Sequence, residues 1–440
     1  MELISLYCYR LLLLLFFFFL KNLYFLLPKG KIKAALNFRF SQEMIKKKSF
    51  SSTKKTIWIH AASGEIEYAL PIIYLIKEQL PVYNILVTLS SPSMLSTIKN
   101  NILIDAYGPA PLDFPANVIN FIKSWNPEKV LFARTDVWPE LSYQLKKQKI
   151  PSYLFSCTLA QNSSRTRTLS QIFTRLALNQ LNEIFVVTQE DKWQLLKIKV
   201  TTPIEVYGDS RFDQMDLKKK VKIELKNLFP QSSNQEEQTY NNNELISKKL
   251  LVAGSTWPED EVVLLKAMNH LPNWRWIIAP HEVNSERIEK LKFLLEKHFP
   301  KMELQIYSTF NEKRKWDIII VDQIGKLFSL YEFADACLVG GSFKEKVHSV
   351  MEPLSYNKYV LVGPNIYNNR EAIEFSKINL TEKVKMVQVV QNEHKMTEVL
   401  SQIEKVTTED RIKDFFKIQE TFNSKKSASH KIFAAIFKTI

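Results

Sequence analysis

Thr56-Ile57-Trp58-Ile59-His60-Ala61-Ala62-Ser63-Gly64-Glu65 reads as a short apolar strand that ends in a small-residue turn and delivers a carboxylate to the start of a helix. The same grammar recurs along the chain. Gly208 follows Ile204-Glu205-Val206-Tyr207, and Gly254 follows Leu250-Leu251-Val252-Ala253. Gly340 and Gly341 follow Ala336-Cys337-Leu338-Val339, and Gly363 follows Tyr359-Val360-Leu361-Val362. Only nine glycines serve 440 residues, so their concentration behind strand-like runs is a pattern rather than background. In open α/β sheets, ligands bind outside the carboxyl ends of the strands, where tight turns and close backbone approach call for glycine. An α/β enzyme pattern runs through both halves of the chain.

Working outward, apolar runs at 56–61, 84–89, 129–133, 152–156, 183–188 and 204–207 alternate with helical stretches such as 67–80 and 170–181. That rhythm implies βαβ units and a parallel sheet. The series restarts with runs at 249–253, 274–279, 317–321, 336–339 and 359–362. Between the two series lie a lysine-rich helical stretch at 217–228 and a polar segment at 231–243, QSSNQEEQTYNNN, whose composition suits a loop or insertion. The expected organisation is an anchor at 1–28, a Rossmann-like domain at 29–215, a linker at 216–248 and a second Rossmann-like domain at 249–440. The length agrees, since 440 residues exceed one ordinary core.

Hydrophobic content of 45% with 24% charged residues is globular, and the formal charge is +14. The excess points to an acidic partner, although lysines scattered over a solvated surface give the same count. No RNA-binding signature accompanies it, so nucleic acid is not expected as a partner. Cys8, Cys157 and Cys337 are far apart and read as buried free thiols of a reducing compartment. Residues 11–20 read LLLLLFFFFL within an apolar span at 3–27 that only Arg10 and Lys21-Asn22 interrupt. No small-residue cleavage site follows, so the span reads as an uncleaved anchor rather than a signal peptide. Lys29, Lys31, Lys33, Arg39 and residues 46–48 favour a cytoplasmic side beside anionic inner-membrane lipid. Whether the anchor spans the bilayer or lies in one leaflet stays open at this level.

Three motifs carry chemistry. In the first, Ser63-Gly64-Glu65 sets Glu65 at a strand-to-helix turn, where it serves either as a general base on an alcohol or as a complement to the helix dipole. In the second, Arg134-Thr135-Asp136-Val137-Trp138-Pro139 places Arg134 and Asp136 before a proline-started helix. In the third, Gly340-Gly341-Ser342 leads toward His348-Ser349-Val350-Met351-Glu352-Pro353, a place for a phosphate with Glu352 as acceptor of ribose hydroxyls. Ser255-Thr256, His281 and Asn368 follow other strands of the second series. Helix capping alone accounts for any one such polar residue, whereas the aggregate along one edge favours a site. No metal-ligand spacing is evident, and no cofactor is expected.

Taken in order, these motifs resemble one family, the 3-deoxy-D-manno-octulosonic acid (Kdo) transferases of lipopolysaccharide assembly. The family's His-Ala-x-Ser-x-Gly-Glu block is matched by His60 to Glu65, one residue shorter. Its Trp-Pro block is matched at 134–139, and its Thr-Gly-Asn-x-Lys-Phe-Asp block by Tyr207-Gly208-Asp209-Ser210-Arg211-Phe212-Asp213. Its Ala-Gly-Ser-Thr block is matched at 253–256, and its later blocks by residues 322–342 and by Gly363-Pro364-Asn365 with Asn368 and Glu371-Ala372. The chain departs from the family at Arg134, where the family has an acid, at Phe343-Lys344-Glu345-Lys346-Val347, at Ser349, and at Pro280-His281, which lacks an intervening arginine.

The resemblance implies a GT-B glycosyltransferase, with an interdomain active site and a last helical stretch at 409–440 crossing back to the first domain. It implies CMP-Kdo as donor and a lipid A precursor as acceptor, with inversion and no metal. Glu65 and Asp136 would be catalytic. Ser255, Thr256, His281, Gly340, Gly341, Ser342, His348, Glu352 and Asn368 would bind the donor, and Ser63, Gly64 and Arg211 would serve the acceptor and its charge. In that scheme the leaving phosphate is met by backbone N–H groups near Gly341 and Ser342. A UDP-sugar GT-B enzyme and an inactive nucleotide-sugar-binding scaffold are the alternative readings.

Overall fold

The computed structural model describes residues 2–24, 30–40, 45–221, 225, 228, 248–381 and 384–437. The polar segment at 231–243 lies outside the described residues. The chain forms two compact units, one of Met1–Leu217 with Lys425–Ile440 and one of Lys218–Ser424.

The first unit is built on an eight-stranded sheet of β1 (Lys46–Lys47), β2 (Lys55–Ala61), β3 (Tyr83–Leu89), β4 (Ala106–Pro109), β5 (Pro127–Ala133), β6 (Ser152–Cys157), β7 (Glu183–Val186) and β8 (Ile204–Val206). Their spatial order is β1-β4-β3-β2-β5-β6-β7-β8. Only the β1–β4 pair is antiparallel. Every residue of β3 is buried, as expected of a parallel strand covered on both faces. Strand order reverses between β2 and β5, whose register pairs His60 with Phe132. Loops leaving the carboxyl ends of these two strands therefore diverge around a crevice, the place where open α/β sheets bind ligands.

The second unit repeats the plan with seven parallel strands: β9 (Lys249–Thr256), β10 (Trp274–Pro280), β11 (Leu304–Ile306), β12 (Ile318–Ile320), β13 (Ala336–Val339), β14 (Tyr359–Val362) and β15 (Val387–Val389). Their order is β11-β12-β10-β9-β13-β14-β15. Here the switch lies between β9 and β13, where Val339 pairs with Gly254. The glycine-bearing strand ends noted in the sequence meet at this point.

Several expectations are corrected. Strands β1, β4, β11 and β15 are additions. The β4 sequence Ala-Tyr-Gly-Pro carries turn residues, and the other three are only two or three residues long, too short for a periodic signal. The lysine-rich helix starts earlier than 217 and covers Arg211–Lys220, so the Asp209-Ser210-Arg211 motif forms its amino end. In the 409–440 stretch, the Thr408–Asn423 helix stays with the second unit. The Ala428–Phe437 helix belongs to the first, where Ile432, Ile436 and Phe437 join the core formed with Ile57, Ile59 and Ile72. Cys157 and Cys337 are buried free thiols as expected, but Cys8 is exposed because its position faces outward on the helix Glu2–Leu23.

Candidate active site

At the first switch point, β2 ends in His60 and Ala61, and the chain turns through Ser63 and Gly64 into the helix Ile66–Gln79. Glu65 occupies the N-cap position, and its Oε2 accepts the Ser63 backbone N–H at 2.9 Å. Its Oε1 has no hydrogen-bond partner among the described residues. The half-buried Glu65 carboxylate is thus oriented by one oxygen and open at the other. The Ser63 hydroxyl bonds that of Ser93, and Gly64 borders open space.

Across the switch, Asp136 follows β5 in the turn before the helix Pro139–Lys147. Its Oδ2 meets His60 Nε2 at 3.0 Å and accepts the Ser90 hydroxyl at 2.8 Å. The fully buried His60 ring bonds Thr88 Oγ1 through Nδ1 at 3.0 Å, and Thr88 in turn accepts Trp58 Nε1–H at 2.8 Å. A ring with its proton on Nε2 satisfies the whole series: Trp58 donates to Thr88, Thr88 to Nδ1, and Nε2–H to Asp136. Burial pushes the Asp136 carboxyl up, but the bonds from His60 and Ser90 and the nearby positive charge of Arg39 outweigh it and hold the carboxyl at about 2. A carboxylate of such low basicity is a poor proton acceptor.

The guanidinium groups of Arg211, Arg134 and Arg39 lie in the same unit, and the Arg39 charge reaches Asp136. Arg211 pairs through Nε and Nη2 with Asp209, with Nη2 to Oδ2 at 2.6 Å, and its guanidinium lies 4.5 Å from the centre of the Tyr68 ring. Arg134, at φ +68°, places its guanidinium 5.6 Å from the same ring. Arg39 stacks on Trp138 at 5.3 Å and donates Nη2 to Pro111 O at 3.2 Å.

At the second switch point most polar groups are engaged internally. Thr256 Oγ1 donates to Glu261 Oε1 at 2.7 Å, and Ser342 Oγ accepts Gly363 N–H at 2.6 Å. Ser255 adopts φ +54° at the end of β9. A side chain at Gly340 would start 2.4 Å from Ser255 O, so the close approach of β13 to β9 demands glycine there. Gly341 takes φ +96°, and its N–H is donated to Asp260 Oδ2 at 2.7 Å. Asp260 also accepts Trp257 N–H at 2.8 Å and Phe343 N–H at 3.3 Å. This corrects the expectation that the Gly341 N–H meets a phosphate, because an internal carboxylate already holds it.

Asn368 bonds the backbone N–H and carbonyl of Val347 at 3.2 Å each, which secures the segment after the glycine pair. Glu352 pairs with Lys218 Nζ at 2.8 Å. The groups left facing outward are rings. Trp257 stacks on His281 at 4.8 Å, His281 stacks on His348 at 4.6 Å, and Trp257 Nε1 donates to His348 Nε2 at 3.3 Å. Lys344 Nζ lies 3.8 Å from the centre of the Trp257 ring. Burial, with the His281 and Lys346 charges behind it, pulls the His348 ring down to about 4, so it is neutral near pH 7.

The sequence singled out residues at both switch points: Glu65 and Asp136 follow the neighbouring strands β2 and β5, and Gly340 packs against Ser255-Thr256. Sequence reasoning missed His60 as the partner of Asp136, together with the roles of Ser90, Trp257, Lys344 and Asp260. His60 stood inside a quoted motif, but its partner is 76 residues away and only strand order brings the two together. Among the described residues, no group of three or more His, Cys, Asp or Glu side chains is gathered to hold a metal ion.

Residues 37–214 match the family model of 3-deoxy-D-manno-octulosonic-acid transferase (kdotransferase). A 3-deoxy-D-manno-octulosonic acid transferase of Chlamydophila psittaci is 25% identical over 365 residues, covering 78% of this chain and 77% of that protein. One from Rickettsia felis is 25% identical over 336 residues, covering 73% of this chain and 66% of that protein. In fold, the chain is similar to UDP-GlcNAc 2-epimerase from Neisseria meningitidis, with a TM-score of 0.59 and 16% identity over 87% of this chain and all of that one. It is also similar to a glycosyltransferase from Rickettsia africae, with a TM-score of 0.52 and 14% identity over 88% of this chain and all of that one. Two parallel-sheet units of GT-B type, a match to the Kdo transferase model within the first and similarity to Kdo transferases along most of the length make the chain similar to that family of glycosyltransferases.

Proposed function

We propose that this chain transfers Kdo from CMP-Kdo to a hydroxyl on the glucosamine disaccharide of a lipid A precursor, with inversion and without a metal, on the cytoplasmic face of the inner membrane. The observation that carries the reading is the pair of carboxylates at the first switch point. Glu65 keeps one oxygen open, while Asp136 is held ionised by His60 and Ser90.

In this reading Glu65 takes the proton of the acceptor hydroxyl as its oxygen bonds to the anomeric carbon of Kdo, and the electrons of the breaking bond leave with CMP. Positioned general-base help of this kind contributes roughly 10²- to 10⁴-fold. Asp136 stays charged and fixes His60, whose ring orders the β2 end that leads into the Glu65 turn. Arg134 and Arg211, gathered on Tyr68, supply positive charge suited to a phosphorylated acceptor. On the donor side, the Trp257–His281–His348 rings offer a flat surface for a base. Lys344 supplies the cationic partner for phosphate, since the Gly341 N–H is committed to Asp260.

The test is transfer from freshly generated CMP-Kdo to a tetraacyl lipid A precursor, read by mass spectrometry with EDTA present and UDP-hexose as competing donor. Product from CMP-Kdo alone supports the reading, and the mass ladder counts the sugars added. Product from UDP-hexose alone moves the assignment to a UDP-sugar enzyme. No product from either donor with a folded, lipid-bound chain favours the scaffold.

A further inference from the structure

The helix Glu2–Leu23 has 22 residues, about 33 Å at 1.5 Å per residue, so length alone permits a crossing. An 18-residue window within it, Leu3–Leu20, has a mean hydropathy of 2.3. Its contacts decide otherwise. Leu6 and Tyr9 are buried and, with Leu13, pack on Leu176, Phe173 and Tyr143 of the first unit. Phe17 continues the same stripe, with its ring 5.0 Å from that of Phe114 and 5.6 Å from that of Phe40. From Leu6 to Phe17 the spacing is that of one helical face, three turns long, laid against the protein.

Polar bonds lock this face. Arg10 donates Nε and Nη2 to the two oxygens of Glu140 at 2.7 and 2.9 Å, and Glu140 is fully buried. The Tyr9 hydroxyl donates to Asp113 Oδ2 at 2.7 Å, while Asp113 also accepts the Glu140 and Leu141 backbone N–H groups at 3.0 and 2.8 Å. Asp113 thereby caps the helix that follows the Asp136 turn. Lifting the first helix away would strand Glu140 without its cation and Asp113 without its hydroxyl donor, and uncompensated buried charge is strongly unfavourable. The opposite face is apolar and exposed, with Ile4, Leu11, Leu12, Leu15, Phe16 and Phe19 among its residues. Exposed lysines 46 and 47 lie in the same unit, and their charge complements anionic headgroups.

We infer that this helix lies in the plane of one leaflet of an anionic bilayer, its inner face bolted to the first unit and its outer face in the acyl region, and does not cross the membrane. In-plane helices ordinarily present a charged face to water. Here the protein itself takes that place. The crevice of the first unit is then held at a fixed height above the membrane.

The experiment uses the full chain with Cys8→Ser, Gln79→Cys and a Gly-Ser-Cys extension ahead of Met1. The chain is reconstituted into sealed phosphatidylglycerol–phosphatidylethanolamine vesicles and treated with a membrane-impermeant maleimide. Cys157 and Cys337 are buried and stay silent. An in-plane helix leaves both reporters on one side, so the mass spectrum shows chains with no tag or with two. A crossing helix separates them, and single-tagged chains dominate, which overturns the inference. Failure of the chain to float with the vesicles overturns it as well. The readout needs no activity, so its failure leaves the transferase reading standing.

Discussion

The two switch points use the same topology to opposite ends. At β2/β5 the strand ends present acid and imidazole side chains, and a buried series from Trp58 through Thr88 and His60 to Asp136 orients them. At β9/β13 the polar side chains are turned inward to tie loops together. Thr256 holds Glu261, Ser342 holds the Gly363 N–H, and Asn368 holds Val347. What remains on view there is a row of rings with Lys344 beside it. The lesson is that a polar residue at a strand end is not evidence of ligand contact until its bonds are counted. The first switch point leaves a carboxylate oxygen of Glu65 on view, the second a surface of stacked rings.

The contrast breaks first at Glu65. Glu65→Ala is expected to lower transfer by about 10²- to 10⁴-fold with an unchanged melting temperature, because the side chain accepts a single backbone bond. Activity within a few fold of the wild type would remove the base assignment. Next is Gly340→Ala, where a Cβ 2.4 Å from Ser255 O forces two strands apart. A loss of roughly 1–3 kcal/mol or more is expected, read by denaturant unfolding, with weakened nucleotide binding. A fully stable variant would show that the close approach is dispensable.

Asp136→Asn sharpens the same comparison on the first unit. It removes the charge from a site bonded to His60 and Ser90, at a cost of about 1–3 kcal/mol. The sign with pH follows from the carboxyl at about 2 in the fold against about 3.9 in an unfolded chain. Its contribution is present above about pH 4 and is lost as pH falls toward 2, so the variant's deficit in melting temperature narrows in acid. Thr256→Val should cost about 1 kcal/mol of stability through the unmade bond to Glu261, with little change in the rate of transfer. A large fall in rate instead would return Thr256 to the ligand.

The smallest effect is expected at His348. Its ring titrates at about 4 in the fold and near 6.5 in an unfolded chain, so the unfolded state binds more protons between these values. Stability contributed by the neutral ring is complete above about pH 6.5 and declines as pH falls toward 4. His348→Gln should flatten that part of the melting profile. An unchanged slope would place the acid sensitivity elsewhere.

Much of this was legible in the residues. Short apolar runs ending in glycine named two parallel sheets, and the strands at 336–339 and 359–362 fell on the structural bounds. Glu65 and Asp136 were named because a carboxylate after a strand is visible in one dimension. The bond between His60 and Asp136 was not, since it depends on β2 lying beside β5. The role of the Asp260 carboxylate was not legible either. Its capture of the Gly341 N–H joins positions 81 residues apart.

Periodicity and composition by themselves determined the class of fold, the two sheets and the apolar character of the first helix, because these depend on which side chains leave water. Only the tertiary structure decided which polar groups stay free and which way that helix lies. Both depend on long-range pairs such as Arg10 with Glu140, 130 residues apart, and local spacing carries no record of such partners. Burial is written along the chain, whereas hydrogen-bond satisfaction is settled between elements that the chain brings together only on folding.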